Sequence, residues 1–184
     1  MSNINHGNVC LRPWRVEDAG HLIAIAKCAH VQAWLKDWDD VEAWATPWIE
    51  GQARHHEKDN PEADFMSWAI TVSPSGEPIG CINFGGDEMD HRGVSLGYFL
   101  HEDALHKGYA TEAVEALCQY AFEHWDYSEI FANAREDNGA SRAVLERAGF
   151  ELLDIRSTQL PGYEGDMPCA WYVIRKKNCV CIKD

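Results

Sequence analysis

The chain has 184 residues, 46% of them hydrophobic, and its 30 Asp and Glu residues against 16 Lys and Arg residues give a formal net charge of −14. These values predict one globular domain over residues 1–184, with an ordered core over about residues 8–177 and a short C-terminal tail. The negative charge repels phosphates and anionic lipids, so we expect neither nucleic acid nor a membrane as a partner. It would attract a cationic amine, although a solvated acidic surface explains it equally well.

The seven cysteines indicate a reducing compartment and no metal centre. Their number is odd, they form no Cys-x-x-Cys pair, and several lie in apolar runs. Cys179 and Cys181 lack the neighbouring ligands of a metal site, so we expect a frayed tail there. The N-terminus has no signal-peptide pattern, and no apolar run approaches the roughly 18 residues of a membrane span. A cytoplasmic protein is therefore expected.

The first third of the chain predicts one strand followed by helices. Residues 10–14 are expected to form a short edge strand, because Pro13 cannot donate to a ladder. Apolar spacing predicts a helix over residues 16–29, and residues 31–60 form a helical stretch in which Pro47 forces a break or a new first turn. Its tryptophans fall in pairs on one face: Trp34 with Trp38, and Trp44 with Trp48. Such pairs favour a core or a lid over it, and leave open an aromatic wall beside an amine site.

A three-stranded meander is predicted next. Residues 66–72 and 78–84 form an antiparallel hairpin, because the Pro and Gly of residues 73–77 are turn formers. Residues 85–93 make the second turn and residues 94–100 the third strand.

The segment 105–111, directly after that strand, has the pattern of an anion-binding helix start. The first amides of a helix have no intrahelical partner and lie at the positive end of the helix dipole, so a phosphate is a natural ligand. Gly108 permits close approach, Ala110 is nearly as small, and Lys107 adds a positive charge. On this segment alone, a plain helix start without a ligand is the commoner outcome.

The second half predicts a helix, a strand, a short helix and two closing strands. An apolar stripe marks the first helix: Val114, Leu117, Cys118, Ala121 and Trp125. The strand covers residues 129–134, Asp137 or Asn138 caps the short helix, Gly149 ends it in a left-handed conformation, and the closing strands cover residues 151–157 and 169–175. The expected fold is α+β, a mixed and mostly antiparallel sheet of six to seven strands with helices on both faces. Strands 94–100 and 129–134 are expected to run parallel and to splay apart at the centre.

Three motifs, in this order and spacing, resemble the GNAT superfamily of N-acetyltransferases. They are Gly97-Tyr98-Phe99-Leu100, the segment 106–113, and the segment from Asn138 to Phe150. Residues 11–14 and 80–84 extend the resemblance over nearly the whole chain. Within the superfamily, the ribosomal-protein-alanine acetyltransferase branch is the most similar.

The resemblance implies that acetyl-coenzyme A (acetyl-CoA) binds in the central splay as the co-substrate. Its pantetheine arm would pair with the backbone near Phe99 and Leu100 and meet the side chain of Asn138, and Ser141 would lie near the thioester sulfur. Its pyrophosphate would bind the amides of His106, Lys107, Gly108, Tyr109, Ala110 and Thr111. Asn138 and Ser141 also suit plain helix capping, and the two roles are compatible.

Three positions depart from the branch. Ser95 stands where many members have a Glu that accepts a proton, and Leu145 where a Tyr acid is common, which leaves Ser141 as the candidate acid. Leu105 replaces Gln or Arg, a tolerable change where backbone amides bind the ligand. Replacement bases are left open: His55, Asp64, Glu164 or Asp166.

The implied reaction is direct attack of a neutral primary amine on the thioester in a ternary complex. Neutralising an α-amine of pKa about 7.7–8.0 at pH 7 costs roughly 1–1.4 kcal/mol, whereas a lysine near 10.4 costs about 4.6 kcal/mol. Without the family Glu, a protein or peptide N-terminal α-amine is therefore the favoured acceptor. The alternatives are a small-molecule amine, such as an antibiotic or polyamine, and a non-catalytic acyl-CoA sensor. Either a monomer or a homodimer is compatible with the sequence.

Overall fold

The computed structural model describes residues 3–36, 38, 40–72, 76–86 and 93–176. Three expectations lie wholly or partly outside these residues: the first three residues of the first hairpin turn (73–75), most of the second turn (87–92), and the C-terminal tail with Cys179 and Cys181.

Eight strands and five α-helices make up the described part of the chain. The strands are β1 (Ile4–His6), β2 (Val9–Pro13), β3 (Met66–Thr71), β4 (Pro78–Gly86), β5 (Val94–Leu100), β6 (Glu129–Arg135), β7 (Glu151–Gln159) and β8 (Asp166–Arg175). The helices are α1 (Ala19–Ala26), α2 (Ala29–Trp34), α3 (Val41–Lys58), α4 (Tyr109–His124) and α5 (Gly139–Arg147). Single 3-10 turns lie at Val16–Asp18 and Glu102–Ala104. None of the helices in these segments combines the length and apolarity that crossing a bilayer requires.

The strands form one mixed sheet in the order β1-β2-β3-β4-β5-β6-β8-β7. Every neighbouring pair is antiparallel except β5 and β6, which run parallel because α4 carries the chain from the end of one strand to the start of the other. The predicted α+β class and the predicted parallel pair are confirmed. The sheet has eight strands, one more than the upper number predicted, since the three-residue β1 is too short to show a periodic pattern.

The predicted edge position of residues 10–14 is wrong. β2 pairs with β3 on one side and with β1 on the other, where Ile4 lies opposite Leu11. Pro13 nevertheless avoids a lost hydrogen bond on the β1 side, because the β1 ladder ends at Leu11 and Pro13 faces only Trp68 of β3.

The helical region between β2 and β3 also differs from the prediction. The helix expected over residues 16–29 stops at Ala26, because Cys28 is extended with a ψ of 130°. Pro47 neither breaks α3 nor begins it, and lies inside the helix. The buried face of α3 compensates for the missing Pro47 amide: Val41, Ala45, Ile49, Gln52 and His56.

Two layers of helix cover the two faces of the sheet. α4 and α5 pack on the face that carries Trp68, Ile82 and Tyr172, and the resulting core is fully buried. α1 and α3 cover the β2–β5 part of the other face, where Ala69 and Cys81 meet apolar helical residues. The second helical layer therefore does not extend over β6, and this leaves room for a cavity beside β5.

Candidate functional site

A cavity of about 380 Å³ lies where β5 and β6 separate. The two strands share one pair of Cα partners, Ser95 with Phe131, and diverge beyond it. Residues of both strands line the cavity, together with residues of β4, α5, the end of α2 and the loop after β7. Since successive side chains of a strand point to opposite faces, the lining of Ser95, Leu96, Gly97 and Tyr98 shows that the cavity reaches both faces of the sheet.

Three of the predicted site residues line this cavity: Phe99, Asn138 and Ser141. Leu100 and the turn residues His106, Lys107, Gly108, Tyr109, Ala110 and Thr111 are not among its lining residues. Leu100 is the last residue of β5, whereas residues 106–111 follow the 3-10 turn Glu102–Ala104 and lead into α4, which begins at Tyr109. The structure therefore divides the predicted residues between a cavity and an adjacent helix start.

Asn138 caps α5, which resolves the choice between Asp137 and Asn138. Its Oδ1 accepts a hydrogen bond from the Ser141 amide at 3.1 Å, whereas Asp137 pairs with Arg135. At the other end Gly149 has a φ of +90°, and the Phe150 amide donates to the Leu145 carbonyl at 3.0 Å. Both predicted ends of the helix are confirmed, and the cap fixes Ser141 in the first turn.

Tyr98 contacts Ser141, and the sequence did not indicate it as a candidate site residue. Its hydroxyl donates to the Ser141 carbonyl at 2.9 Å and lies 3.1 Å from Ser141 Oγ. Burial raises the pKa of the Tyr98 phenol above its usual value, so the phenol stays neutral at physiological pH. The sequence contained one signal, since Tyr98 belongs to the strand motif that carries the resemblance.

The start of α4 presents backbone amides without a side-chain cap. Gly108 precedes the helix with a φ of +85°, and a Cβ at this position would meet nothing within 4 Å. The amides of Tyr109, Ala110 and Thr111 belong to the first turn, where an α-helix offers them no carbonyl. His106 and Lys107 are exposed beside them. This geometry fits an anion, and the position of Gly108 suits glycine because its φ is positive.

The backbone of β5 presents Leu100 toward the gap. The His101 amide donates to Ile79 of β4 at 2.8 Å, and alternation then directs the backbone groups of Phe99 to β4 and those of Leu100 to the opposite edge. The Leu100 carbonyl accepts a hydrogen bond from His30 Nε2 at 2.9 Å. A ligand that pairs with this edge would meet His30, a residue that the sequence reasoning also missed.

Aromatic side chains form one wall of the cavity. Trp38 packs edge-on against Phe99 with ring centroids 4.7 Å apart, and Arg135 lies 5.1 Å from the rings of both Trp34 and Tyr163. Trp34 and Trp38 line the cavity, which matches the aromatic wall that the sequence left open as an alternative. Trp38, Trp44 and Trp48 also pack against the buried core, the outcome that the sequence favoured. The predicted shared helix face of Trp34 and Trp38 is wrong, because α2 ends at Trp34, whereas Trp44 and Trp48 do share α3 with centroids 6.2 Å apart.

The loop after β7 closes this side of the cavity. The single proton of the Tyr163 hydroxyl is shared between the carbonyls of Ala33 at 3.0 Å and Trp34 at 3.2 Å, which joins the loop to the end of α2. Leu160 and Pro161 of the same loop also line the cavity.

The candidate bases lie elsewhere. Ser95 and Leu145 line the cavity, whereas His55, Asp64, Glu164 and Asp166 do not. His55 bonds to the Phe65 carbonyl at 2.8 Å, and Asp64 pairs with Lys58 at 3.0 Å. Within the described ranges, no three His, Cys, Asp or Glu side chains lie close enough together to hold a metal ion.

Comparison with known proteins gives both a family match and structural similarity. Residues 8–151 match the family "Acetyltransferase (GNAT) domain". The chain is 32% identical over 95 residues to the uncharacterized N-acetyltransferase YjdG of Bacillus subtilis (strain 168), an alignment that covers 52% of this chain and 56% of YjdG. The chain thus spans about half the length of the curated relatives it matches.

Two solved structures have a similar fold. One is the Salmonella typhimurium acetyl transferase that modifies the N-terminal serine of the 50S subunit protein L7/L12, with a TM-score of 0.78, 18% identity, and coverage of 95% of this chain and 99% of that chain. The other is the microcin C7 self-immunity acetyltransferase MccE in complex with acetyl-CoA and AMP, with a TM-score of 0.76, 16% identity and coverage of 94% of each chain.

Proposed function

The chain belongs to the GNAT acetyltransferase family, and from this premise we propose that it transfers the acetyl group of acetyl-CoA to a primary amine, the N-terminal α-amine of a protein or peptide. The observation that carries the proposal is the cavity between β5 and β6, which reaches both faces of the sheet. An acetyl donor on one face and an acceptor on the other can meet there directly.

The donor is proposed to bind on the α4 and α5 side. The amide of Gly108 and the first-turn amides of α4, from Tyr109 to Thr111, would hold its pyrophosphate, and the open space at Gly108 lets a phosphate approach the backbone. The edge of β5 at Leu100 and the side chain of Asn138 would hold the pantetheine arm. When bound, acetyl-CoA supplies an acetyl group activated as a thioester.

Ser141 is proposed to donate the proton that the leaving sulfur takes up. The acceptor nitrogen forms a bond to the acetyl carbon, the carbon–sulfur bond breaks, and the nitrogen loses its extra proton to solvent. Ser141 Oγ can supply a proton at the cavity wall because Asn138 and Tyr98 fix its position. Its hydroxyl is replenished from water after the thiol leaves.

Ser95 supports an α-amine as the acceptor. This hydroxyl lines the cavity where the resemblance places a Glu in many relatives, and a hydroxyl is a poor base at neutral pH. An α-amine needs roughly 3 kcal/mol less than a lysine to become neutral at pH 7. The Salmonella neighbour, which modifies an N-terminal serine, adds support by analogy of fold.

A small-molecule amine is the second candidate. The aromatic wall of Trp34, Trp38 and Tyr163 would suit a flat group of such a molecule, and the similar MccE structure is a complex with both acetyl-CoA and AMP. The two candidates differ in the acceptor alone.

The test is acetyl-CoA-dependent thiol release on a panel of paired amines. Each peptide is offered in two forms, one with a free N-terminus and one that is Nα-acetylated and contains one lysine. The panel also includes a polyamine and an aminoglycoside, and the products are identified by mass spectrometry. We expect the free N-termini to react fastest. Faster reaction of the lysine side chains would contradict the α-amine assignment. Heat of acetyl-CoA binding in calorimetry without thiol release from any amine would instead indicate a sensor.

A further inference from the structure

A chain of buried hydrogen-bonding groups ends at Asn83 in the cavity wall. Trp14 Nε1 donates to Ser67 Oγ at 3.1 Å, Ser67 Oγ lies 3.1 Å from Cys81 Sγ, and the Cys81 thiol donates to Asn83 Oδ1 at 3.2 Å. All four residues are buried, and Asn83, which is 8% exposed, also lines the cavity. This series of hydrogen bonds therefore connects the core beneath α3 with the candidate site.

In this series of hydrogen bonds, Trp14, Ser67 and Cys81 each donate in the direction of Asn83. The indole of Trp14 can only donate, and burial raises the pKa of Cys81 to about 12, so the thiol keeps its proton. That proton goes to Asn83 Oδ1, and Ser67 therefore gives its own proton to Cys81 Sγ. The reverse amide orientation would send the thiol proton to Ser67 and leave the Ser67 hydroxyl without an acceptor among the described residues. The network thus fixes Oδ1 toward Cys81 and leaves Nδ2 as the polar group for the cavity.

Asn83 lies on the face of the sheet opposite to Ser141. It pairs across β4 and β5 with Gly97, where a Cβ would meet nothing within 4 Å, so the space above this pair is open. Tyr98, the next residue along β5, points to the other face and contacts Ser141. The fixed amide of Asn83 therefore lies on the face opposite to the proposed donor side, where the acceptor would bind.

We infer that Asn83 orients the acceptor, its Nδ2 donating a hydrogen bond to the carbonyl oxygen next to the reacting amine, and that Cys81 is the positioning residue that holds the amide. This inference rests on the proposed acetyltransferase function and names its acceptor class as α-amino carbonyl compounds, of which a peptide N-terminus is one. A lysine side chain or a polyamine has no carbonyl at that distance from its amine. The Asn83 amide donor thus favours amines that carry a carbonyl oxygen on the neighbouring carbon over amines that lack one.

Two acceptors that differ in this carbonyl test the inference. Phenylalanine amide carries it and phenethylamine lacks it, and both are assayed at one pH so that amine ionisation cancels in each comparison with the unsubstituted protein. For Asn83→Ala we expect the ratio of kcat/KM for phenylalanine amide to that for phenethylamine to fall about tenfold, through KM for the amide. An unchanged ratio would overturn the inference.

Cys81 offers a matched pair of variants. Cys81→Ser keeps a donor to Asn83 Oδ1 and should keep the acceptor ratio within about twofold, whereas Cys81→Ala frees the amide and should lower the ratio about threefold. Equal ratios in the two variants would remove Cys81 from its positioning role. Calorimetry of phenylalanine amide binding to the CoA-saturated protein gives the same comparison for Asn83→Ala without turnover.

Failure of the inference and failure of the proposed function give different results. If the unsubstituted protein acetylates no amine on the panel, the proposed function is wrong. If it acetylates phenylalanine amide and Asn83→Ala leaves the acceptor ratio and the binding heat unchanged, the function stands and the role of Asn83 is wrong.

Discussion

The hydroxyl of Tyr98 lies 2.9 Å from the carbonyl oxygen of Ser141 and 3.1 Å from its Oγ atom, so β5 and the first turn of α5 are joined at the candidate acid. A phenol has one proton. If that proton goes to the Ser141 carbonyl, the Ser141 hydroxyl is free to donate to Tyr98 Oη or into the cavity. The pair thus holds Ser141 in place without consuming its proton.

Ser141→Ala should lower turnover about a hundredfold while leaving acetyl-CoA affinity nearly unchanged. The fold should be retained, because the Asn138 cap uses the Ser141 backbone amide and not its side chain. Steady-state kinetics and calorimetry with acetyl-CoA measure the two quantities separately. Unchanged turnover would remove Ser141 from the mechanism.

Tyr98→Phe should lower turnover about tenfold, because Ser141 loses the group that positions its hydroxyl. Since burial raises the pKa of the Tyr98 phenol above its ordinary value of 10.0, the phenol does not ionise at neutral pH. The pH–rate profile of the variant between pH 6 and 9 should therefore keep the shape of the unsubstituted protein at lower amplitude. A changed shape would show that Tyr98 itself titrates in the reaction.

Gly108→Ala should destabilise the protein by about 1–2 kcal/mol and weaken acetyl-CoA binding, because an L side chain is strained at a φ of +85°. The matched control is Gly20→Ala in α1, where a Cβ likewise meets nothing within 4 Å but the backbone is helical. The control should leave stability unchanged or raise it by up to about 1 kcal/mol. Urea unfolding and calorimetry compare the two, and equal effects would contradict the strain at Gly108.

Asp18→Asn should destabilise the protein by about 3–5 kcal/mol at pH 7, because it breaks a buried pair. Arg12 donates to the Asp18 carboxylate at 2.6 and 2.9 Å, and the Arg15 amide donates at 2.8 Å. Burial opposes ionisation of Asp18, but these hydrogen bonds and the Arg12 charge outweigh it and lower its pKa below 3.8.

The pH dependence of that loss has a defined sign. A carboxyl whose pKa is lower in the folded state stabilises the protein above its unfolded pKa of about 3.9, and this stabilisation disappears as the pH falls through the folded pKa. The difference in unfolding free energy between the unsubstituted protein and Asp18→Asn should therefore be full at pH 7 and shrink below about pH 4. A difference that is constant down to pH 2 would contradict the assignment.

Tyr163→Phe should raise KM for the acceptor about threefold with acetyl-CoA affinity unchanged, because the hydroxyl joins the loop after β7 to the end of α2. Thr158→Val, near the end of β7 and outside the cavity lining, is the control for a general loss of stability. If both variants raise KM equally, the contact of Tyr163 has no specific role in the cavity.

The parts of the fold that follow from local chemistry were predictable. The parallel arrangement of β5 and β6 followed from a single intervening helix, and both ends of α5 followed from Asn138 and Gly149. In each of these cases neighbours in the sequence supply the interaction that decides the structure.

The parts that depend on distant contacts were not predictable. The turn after β1 is fixed by a distant residue, since the Asn8 amide donates to the Glu112 carboxylate, 104 residues away, at 2.7 Å. Pro47 stays inside α3 because the helix packs on the sheet. The contact between Tyr98 and Ser141 joins residues 43 positions apart. No local pattern carries such information, so the sequence indicated Ser141 as a candidate and the structure added its partner.

The single pairing of Ser95 with Phe131 divides the sheet into a five-stranded and a three-stranded ladder. Almost no main-chain hydrogen bonding crosses that seam, so the halves cohere there through side-chain packing. A molecule lying along the seam would pair with the strand edges as an additional strand does, and its binding should slow amide hydrogen exchange on the facing edges of both halves. Binding of a molecule between β5 and β6 would in this way make the sheet more rigid.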